Sequence, residues 1–379
     1  MHKTKLIFQG KGALRNLGVF LPKYKDVLVF TDKNGFVPSG ASAYFEEWAK
    51  QMQGNIRFHY FPYAGKALPL EDIERIYTEV RLVSGADLIV AVGGGTVIDL
   101  AKIISIAYAN GCLGVAEILD QPHLQNTLDL IFIPTTCGTG SEATSFAVVY
   151  RDKVKLSIEN PSVLPDYVML DPFLLRTLPE PVLNSVILDA LAQAVESVWA
   201  PKATYQSRDY ARDAIQDILD FYPGDPTPRR FSRLLWASYL AGRAINITRT
   251  TLSHSISYPM TAHFGVPHGI AVFLTLPEVA QFNYFATAES LQPGLYMTDI
   301  EKSFDFLFDV FDVDTIEEFT ARLKVVMSRL GFGLRLQDHG ITKEALPFLA
   351  DNSLSQGRSD NNPRIIDKQT VLEMLERLF

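Results

Sequence analysis

The sequence is poor in cysteine: Cys112 and Cys137 are the only two in 379 residues, far apart and with no CxxC pair. That argues against a disulfide framework or a cysteine-built metal site and fits a reducing cytoplasm. Positive charge is not in excess either. With 35 Lys and Arg against 43 Asp and Glu, the formal charge is −8, whereas a general nucleic-acid surface needs clustered cations. An anionic small substrate stays open through a few local cations. No uninterrupted apolar run reaches membrane-spanning length, and the opening MHKTKLIFQG lacks the apolar core of a signal peptide. The chain therefore reads as soluble and cytoplasmic, with neither a membrane nor a nucleic acid as partner. Repeats, low-complexity tracts and long flexible linkers are also missing.

What is present can bury a large core: 47% of the residues are hydrophobic and 21% charged, and the length suggests two domains. The first half alternates short β-branched or aromatic runs (KLIFQG, DVLVFTD, IRFHYF, DLIVAV, LDLIFIP) with amphipathic stretches. This is the pattern of a parallel sheet covered on both faces, and by default a nucleotide-binding architecture. From about Pro172 the spacing becomes helical, as in VLNSVILDALAQAVESVW and RRFSRLLWASYLAGRAINI. The expected domains are 1–171, α/β and dinucleotide-binding, and 172–379, all-α.

The run Asp87–Val92 leads straight into Gly93, Gly94, Gly95 and Thr96, followed by Asp99 and Lys102. Glycines between a strand and a helix let backbone approach a phosphate, and the helix start supplies amide donors. GGG is not the GxGxxG fingerprint, and a plain tight turn competes with this reading. Asp32, ending DVLVFTD, could accept hydrogen bonds from a ribose and repel a 2′-phosphate, which favours NAD(H) over NADP(H). As an alternative it caps a turn with Lys33, Asn34 and Gly35. In PTTCGTGSEAT, Pro134–Thr144, the hydroxyls of Thr135, Thr136, Thr139 and Ser141 suit cofactor contacts, against the reading of an ordinary polar loop. Cys137 reads as a packing residue, since no paired base is visible.

In the helical half, Asp189 and Gln193 stand four apart, so on a helix they share a face. His254 and His268 would complete a mixed nitrogen and oxygen set suited to zinc or ferrous iron. The competing account makes Asp189 a cap or ion-pair partner and the histidines hydrogen-bonded core residues.

GGGTVIDLAK, PTTCGTGSEAT, the Asp189 helix and the PHG of Pro267–Gly269, in that order over nearly the whole chain, resemble the iron-containing, group III alcohol dehydrogenase family. The resemblance implies a dehydroquinate synthase-like fold, with an N-terminal dinucleotide domain, a helical C-terminal domain and a metal, Fe2+ or Zn2+. It places metal ligands on Asp189, His254 and His268. Gln193 falls where many members have a third histidine; its amide oxygen preserves the charge of the set but is usually a poorer ligand than imidazole. Tyr258 replaces a histidine near the nicotinamide and is read as a proton relay or substrate contact, or as a core aromatic. His263 gets no role from the motif. Family habit implies a homodimer or larger assembly.

Several phrases, among them AINITRTTLSHSISYPMTAHFGVPHG and NNPR at Asn361–Arg364, look like the phosphonoacetaldehyde reductase branch of that family. A phosphonate dianion calls for Arg, whose guanidinium makes paired hydrogen bonds; Arg249, Arg358 and Arg364 are the expected clamp. The expected reaction is NAD(P)H-linked, metal-dependent reduction of phosphonoacetaldehyde to 2-hydroxyethylphosphonate. Oxidoreduction of another short alcohol or semialdehyde is the near alternative, and a dehydroquinate synthase-like lyase or cyclase the distant one.

Overall fold

A computed structural model of the chain describes residues 4–51, 54–61, 68–82, 85–151, 154–354 and 358–379; Met1, His2 and Lys3 of the opening segment fall outside them. The chain forms two compact units, Met1–Glu180 with Asp225–Tyr239, and Pro181–Gly224 with Leu240–Phe379. The division thus falls after Glu180 rather than after residue 171, and Asp225–Tyr239 returns to the first unit.

In the first unit, β1 (Leu6–Gln9), β2 (Asp26–Asp32), β3 (Asn55–Phe61), β4 (Leu88–Gly93) and β5 (Asp129–Pro134) precede a hairpin of β6 (Phe146–Arg151) and β7 (Val154–Glu159), and β8 (Tyr167–Leu170) follows it. Six strands form one sheet in the order β1-β8-β5-β4-β2-β3, and every pairing within it is parallel. Every residue of β4 is buried, because both faces of the sheet are covered; that is why its sequence reads as a continuous apolar run. Leu28, Phe30, Ile89 and Ala91 pack on one face with Ile98 and Ile103 of the Gly95–Ala109 helix. Val27, Val29, Val90 and Val92 pack on the other with Phe36, Phe45 and Trp48. From β2 the chain moves outward to β3, then crosses to β4 on the other side of β2. The strand order therefore reverses between the carboxyl ends of β2 and β4, where ligands enter open parallel sheets.

The second unit is helical. Its central helix, Glu180–Trp199, is buried at almost every position from Leu183 onward, so it is apolar all round rather than striped. Among the described residues it is the one helix long and apolar enough to cross a membrane, and 89% of that window is buried inside the protein. Around it stand Tyr205–Phe221, Leu252–Phe264, His268–Tyr284, Met297–Phe311 and Ile316–Arg329. Gly265, left-handed at φ 70, caps Leu252–Phe264, so only a tight turn separates it from the helix that His268 begins.

Candidate functional site

The helix Glu180–Trp199 presents Asp189 and Gln193 one turn apart, both nearly inaccessible at 3% and 4% exposure. His254 comes from the first turn of Leu252–Phe264, and His268 is the first residue of the next helix. His254 Nε2 lies 3.4 Å from Asp189 Oδ1 and His268 Nε2 lies 3.9 Å from the same oxygen. Donor atoms of all three side chains fall within 4.8 Å of one another. Ligands at about 2.0–2.2 Å from a common ion stand roughly that far apart.

Gly269 makes this approach possible. A Cβ there would meet Ser185 O at 1.9 Å and Asp189 N at 3.0 Å, so only glycine lets the start of this helix touch the backbone that carries Asp189. Asp189 Oδ1, Gln193 Oε1 and His254 Nε2 are all buried and none has a hydrogen-bond partner. Asp189 Oδ1 and His254 Nε2 lie 3.4 Å apart, and buried polar atoms left without a hydrogen bond cost free energy unless something positive binds them. Two carboxylate or amide oxygens and two imidazole nitrogens match the preferences of iron and zinc, so the residues fit a divalent metal.

The electrostatics agree. Burial pushes His254 toward neutrality, but the negative charges of Glu196 and Asp189 and the close contact of Glu196 with Nδ1 outweigh it and lift the imidazole to about 9. Burial likewise opposes ionisation of Asp189, yet His268 and His254, with a hydrogen bond from Gln193, hold its carboxyl below the ordinary value. Glu196 follows the same rule, held low against burial by His254 and by Thr251. This pocket attracts positive charge.

Tyr258, one turn after His254, is 7% exposed and its ring stacks on His268 at 6.2 Å and 17°. His263 meets Phe348 edge-on at 4.9 Å, a packing contact. Arg249 is left-handed at φ 65; its backbone N–H bonds Ile245 O at 2.8 Å and its guanidinium donates to Asn246 O at 2.9 Å. Asn361 clamps that turn, donating to Thr248 O at 2.9 Å and Thr250 O at 3.1 Å, while its own N–H bonds Arg358 O at 3.1 Å. Arg249 and Arg358 are thus joined through one asparagine. Arg364 is not brought to the cluster. It donates to Phe282 O at 2.7 Å and stacks on that ring at 4.0 Å, at the opposite end of the 17-residue helix that starts with His268. At 1.5 Å per residue the two helix ends are about 20 Å apart, too far for a short substrate to span, so Arg364 leaves the expected clamp.

In the first unit, Asp32 and Gly93–Gly95 sit at the carboxyl ends of β2 and β4. Asp32 caps the following turn by accepting from Gly35 N at 2.6 Å, the alternative role its sequence context allows. The triple glycine is closely packed by the chain's own side chains. A Cβ on Gly93 would stand 2.7 Å from Val97, and one on Gly95 2.6 Å from Thr139 Oγ1, so these glycines admit the chain's own side chains. Gly94 is the N-cap of Gly95–Ala109 with no side-chain cap, and Thr96 stands in its first turn. Thr135 N–H bonds Gly93 O at 3.0 Å, and Thr136 lies 3.3 Å from where a Gly94 Cβ would be. The hydroxyl loop is therefore laced onto the helix start.

Asp99 and Lys102 do the lacing. Asp99 accepts from Ser141 Oγ and from Val148 N at 3.0 Å. The wholly buried Lys102 Nζ donates to Ser141 O at 2.7 Å, Thr144 Oγ1 at 2.9 Å and Phe146 O at 2.8 Å. Burial pushes the Lys102 ammonium down to about 8 against the charges of Asp99 and Glu142. Both side chains thus hold the loop in place. Cys137 is buried and its thiol is pushed by burial up to about 12, so it is inert as a nucleophile.

Glu142, 2% exposed, has an Oε1 without a partner, and burial pushes its carboxyl from 4.5 up to about 7. A carboxyl raised on folding supports stability below its unfolded value and loses that support as pH rises through the folded one. That gap is worth roughly 3 kcal/mol at most. Glu142→Gln should therefore be more resistant to urea than the parent at pH 8, with the advantage mostly gone at pH 5. Equal curves for the two proteins at pH 8 would contradict this.

The parallel sheet with its reversal of strand order belongs to the first unit, and the buried aspartate–histidine cluster, whose residues fit a divalent metal, to the second. A family model for iron-containing alcohol dehydrogenases matches residues 4–172, and one for the C-terminal part of that family matches residues 185–379; the chain belongs to the iron-containing alcohol dehydrogenase family and is an oxidoreductase. It is 30% identical over 305 residues to a phosphonoacetaldehyde reductase of Streptomyces viridochromogenes, covering 76% of this chain and 75% of that one. To a sulfoacetaldehyde reductase of Bilophila wadsworthia it is 26% identical over 100% of this chain and 98% of the other. The iron-containing alcohol dehydrogenase structure from Thermococcus thioreducens superposes with a TM-score of 0.86 at 25% identity, over 100% of this chain and 99% of that one.

Sequence reasoning missed Glu196. It lies at the third position of a face already marked by Asp189 and Gln193, and that spacing was the available signal.

Proposed function

We propose that the protein is a metal-dependent, NADH-linked reductase of a short aldehyde with an anionic head group, phosphonoacetaldehyde above all. The observation that carries this reading is the convergence of Asp189, His254 and His268, whose donor atoms lie within 4.8 Å of one another, with the buried and partnerless Oε1 of Gln193 one helical turn on from Asp189. A divalent ion held there supplies Lewis-acid stabilisation of the charge that grows on the carbonyl oxygen, and nicotinamide carries the hydride. Asp189 and the two imidazoles hold the ion, and Gln193 adds a neutral oxygen. Tyr258, whose ring stacks on that of His268, is the side chain proposed to hand a proton to the oxygen. Asp32 at the end of β2 favours NADH over NADPH by repelling a 2′-phosphate. Arg249 and Arg358, joined through Asn361, are the cations proposed for the anionic head group, and two relatives that reduce phosphono- and sulfoacetaldehyde support that choice of class.

The test is NADH and NADPH oxidation by reconstituted protein against phosphonoacetaldehyde, sulfoacetaldehyde, succinic semialdehyde and acetaldehyde. The anionic two-carbon aldehydes should exceed acetaldehyde in kcat/KM by about tenfold or more, the worth of one charge-assisted contact, and Arg249→Ala should raise KM for them by a similar factor. Equal rates with acetaldehyde would remove the anion from the proposal. No net NADH consumption with any aldehyde would instead favour dehydroquinate synthase-like chemistry.

A further inference from the structure

Glu196 is fully buried and lies two turns after Asp189 on the central helix. An ionised carboxylate in such a place must be saturated with donors. Its Oε1 accepts from Thr251 Oγ1 at 2.8 Å and Ser253 N at 2.8 Å. Its Oε2 accepts from Thr251 N at 3.0 Å and faces His254 Nδ1 at 2.5 Å. The carboxylate thus caps the start of Leu252–Phe264, where the Thr251 N-cap offers no side-chain cap of its own, and in the same stroke grips the ring of His254.

Because ionised Glu196 has only acceptors, the proton in its contact with His254 belongs to Nδ1. The lone pair of the neutral imidazole then lies on Nε2, the atom beside Asp189.

His268 is treated alike by a different group. Ser257 Oγ donates its single hydrogen to His254 O at 2.7 Å and lies 3.4 Å from His268 Nδ1. With that hydrogen spent, the hydroxyl can only accept from Nδ1–H. The lone pair of His268 again falls on Nε2, on the side of Asp189.

We propose that Glu196 and Ser257 are positioning residues that fix the tautomers of His254 and His268, turning both Nε2 lone pairs toward one cation. This rests on the reading of the cluster as a metal site. Outer partners of this kind orient the ring, and in the case of a carboxylate also raise its basicity; their loss typically weakens metal binding by about 10–100-fold. Glu196→Gln keeps the shape but puts an NH2 where either Ser253 N–H or Thr251 N–H and His254 Nδ1 require an acceptor. Ser257→Ala removes the acceptor for His268 Nδ1 together with one hydrogen bond to His254 O, and leaves the helix cap untouched.

The experiment is Co2+ titration of metal-free full-length protein at pH 7.5, read by visible absorption and by chelator competition, with the melting temperature of each metal-free variant recorded in parallel. The expected result is a Co2+ dissociation constant raised about 10–100-fold in Glu196→Gln and severalfold in Ser257→Ala, with an altered absorption envelope. A Glu196→Gln protein that melts lower yet binds Co2+ within about twofold of the parent overturns the proposal, since a purely structural carboxylate gives that result. If Glu196→Gln does not fold, Ser257→Ala decides by the same criterion. A parent that takes up no Co2+ at all overturns the metal reading instead.

Discussion

Gly269→Ala is expected to lose at least about 100-fold in turnover while keeping most of its helical content, because a displacement near 1 Å at a reacting centre carries a cost of that size. The added methyl would sit 1.9 Å from Ser185 O and 3.0 Å from Asp189 N. Neither is the loose end of a flexible side chain. Both belong to the backbone of the central helix, so one helix must slide from the other by more than an ångström. His268 precedes that residue and Asp189 carries one of the touching atoms, so the slide draws the ligand pair, 3.9 Å apart here, out of reach of one ion. Overpacking adds a stability loss of about 1–3 kcal/mol. Circular dichroism with metal content and NADH-linked rate on the same sample checks both parts. An alanine variant with parental metal content and rate would show that the close approach does not matter.

The second large effect is expected at Asp189. Asp189→Asn keeps the shape of the side chain but removes the only negative charge among the four proposed ligands. In a pocket this buried, attraction between a carboxylate and a divalent ion is weakly screened. Loss of metal affinity should exceed the roughly 10–100-fold typical of outer-shell changes. The asparagine should also release the imidazole from one of the groups that lift it. The charge of Asp189 is among the causes that raise His254 to about 9, so its titration in the metal-free variant should move down. An Asp189→Asn protein with unchanged metal affinity would remove the aspartate from the site.

Much of this was legible in the chain. The apolar runs of β2, β4 and β5 follow from burial on both sheet faces, and the four-residue spacing of Asp189 and Gln193 is enough to put them on one helix face. The meeting of that face with His254 and His268 is a matter of packing between segments distant in sequence, and the resemblance, not the spacing, pointed to it. Asp99 and Lys102 look like cofactor contacts because they follow a glycine turn, yet their i,i+3 spacing serves to lace Ser141, Thr144 and Phe146 onto the helix. Arg364 illustrates the opposite failure. It is close to Asn361 and Asn362 in sequence, but Asn361 turns to Thr248 and Thr250 whereas Arg364 turns to Phe282, and no local pattern announces that divergence. Gly269 hides its role as well, since only the facing backbone shows why a methyl cannot fit.

One measurement reaches the central claim, that a single cation is held by Asp189, Gln193, His254 and His268. Metal-free parent and Asp189→Asn are titrated anaerobically with Fe2+, and bound metal and NADH oxidation are followed together. The account expects one equivalent bound by the parent, with rate rising in step, and neither in the variant. Iron taken up equally by both proteins, or NADH oxidised at full rate by the metal-free parent, would contradict it.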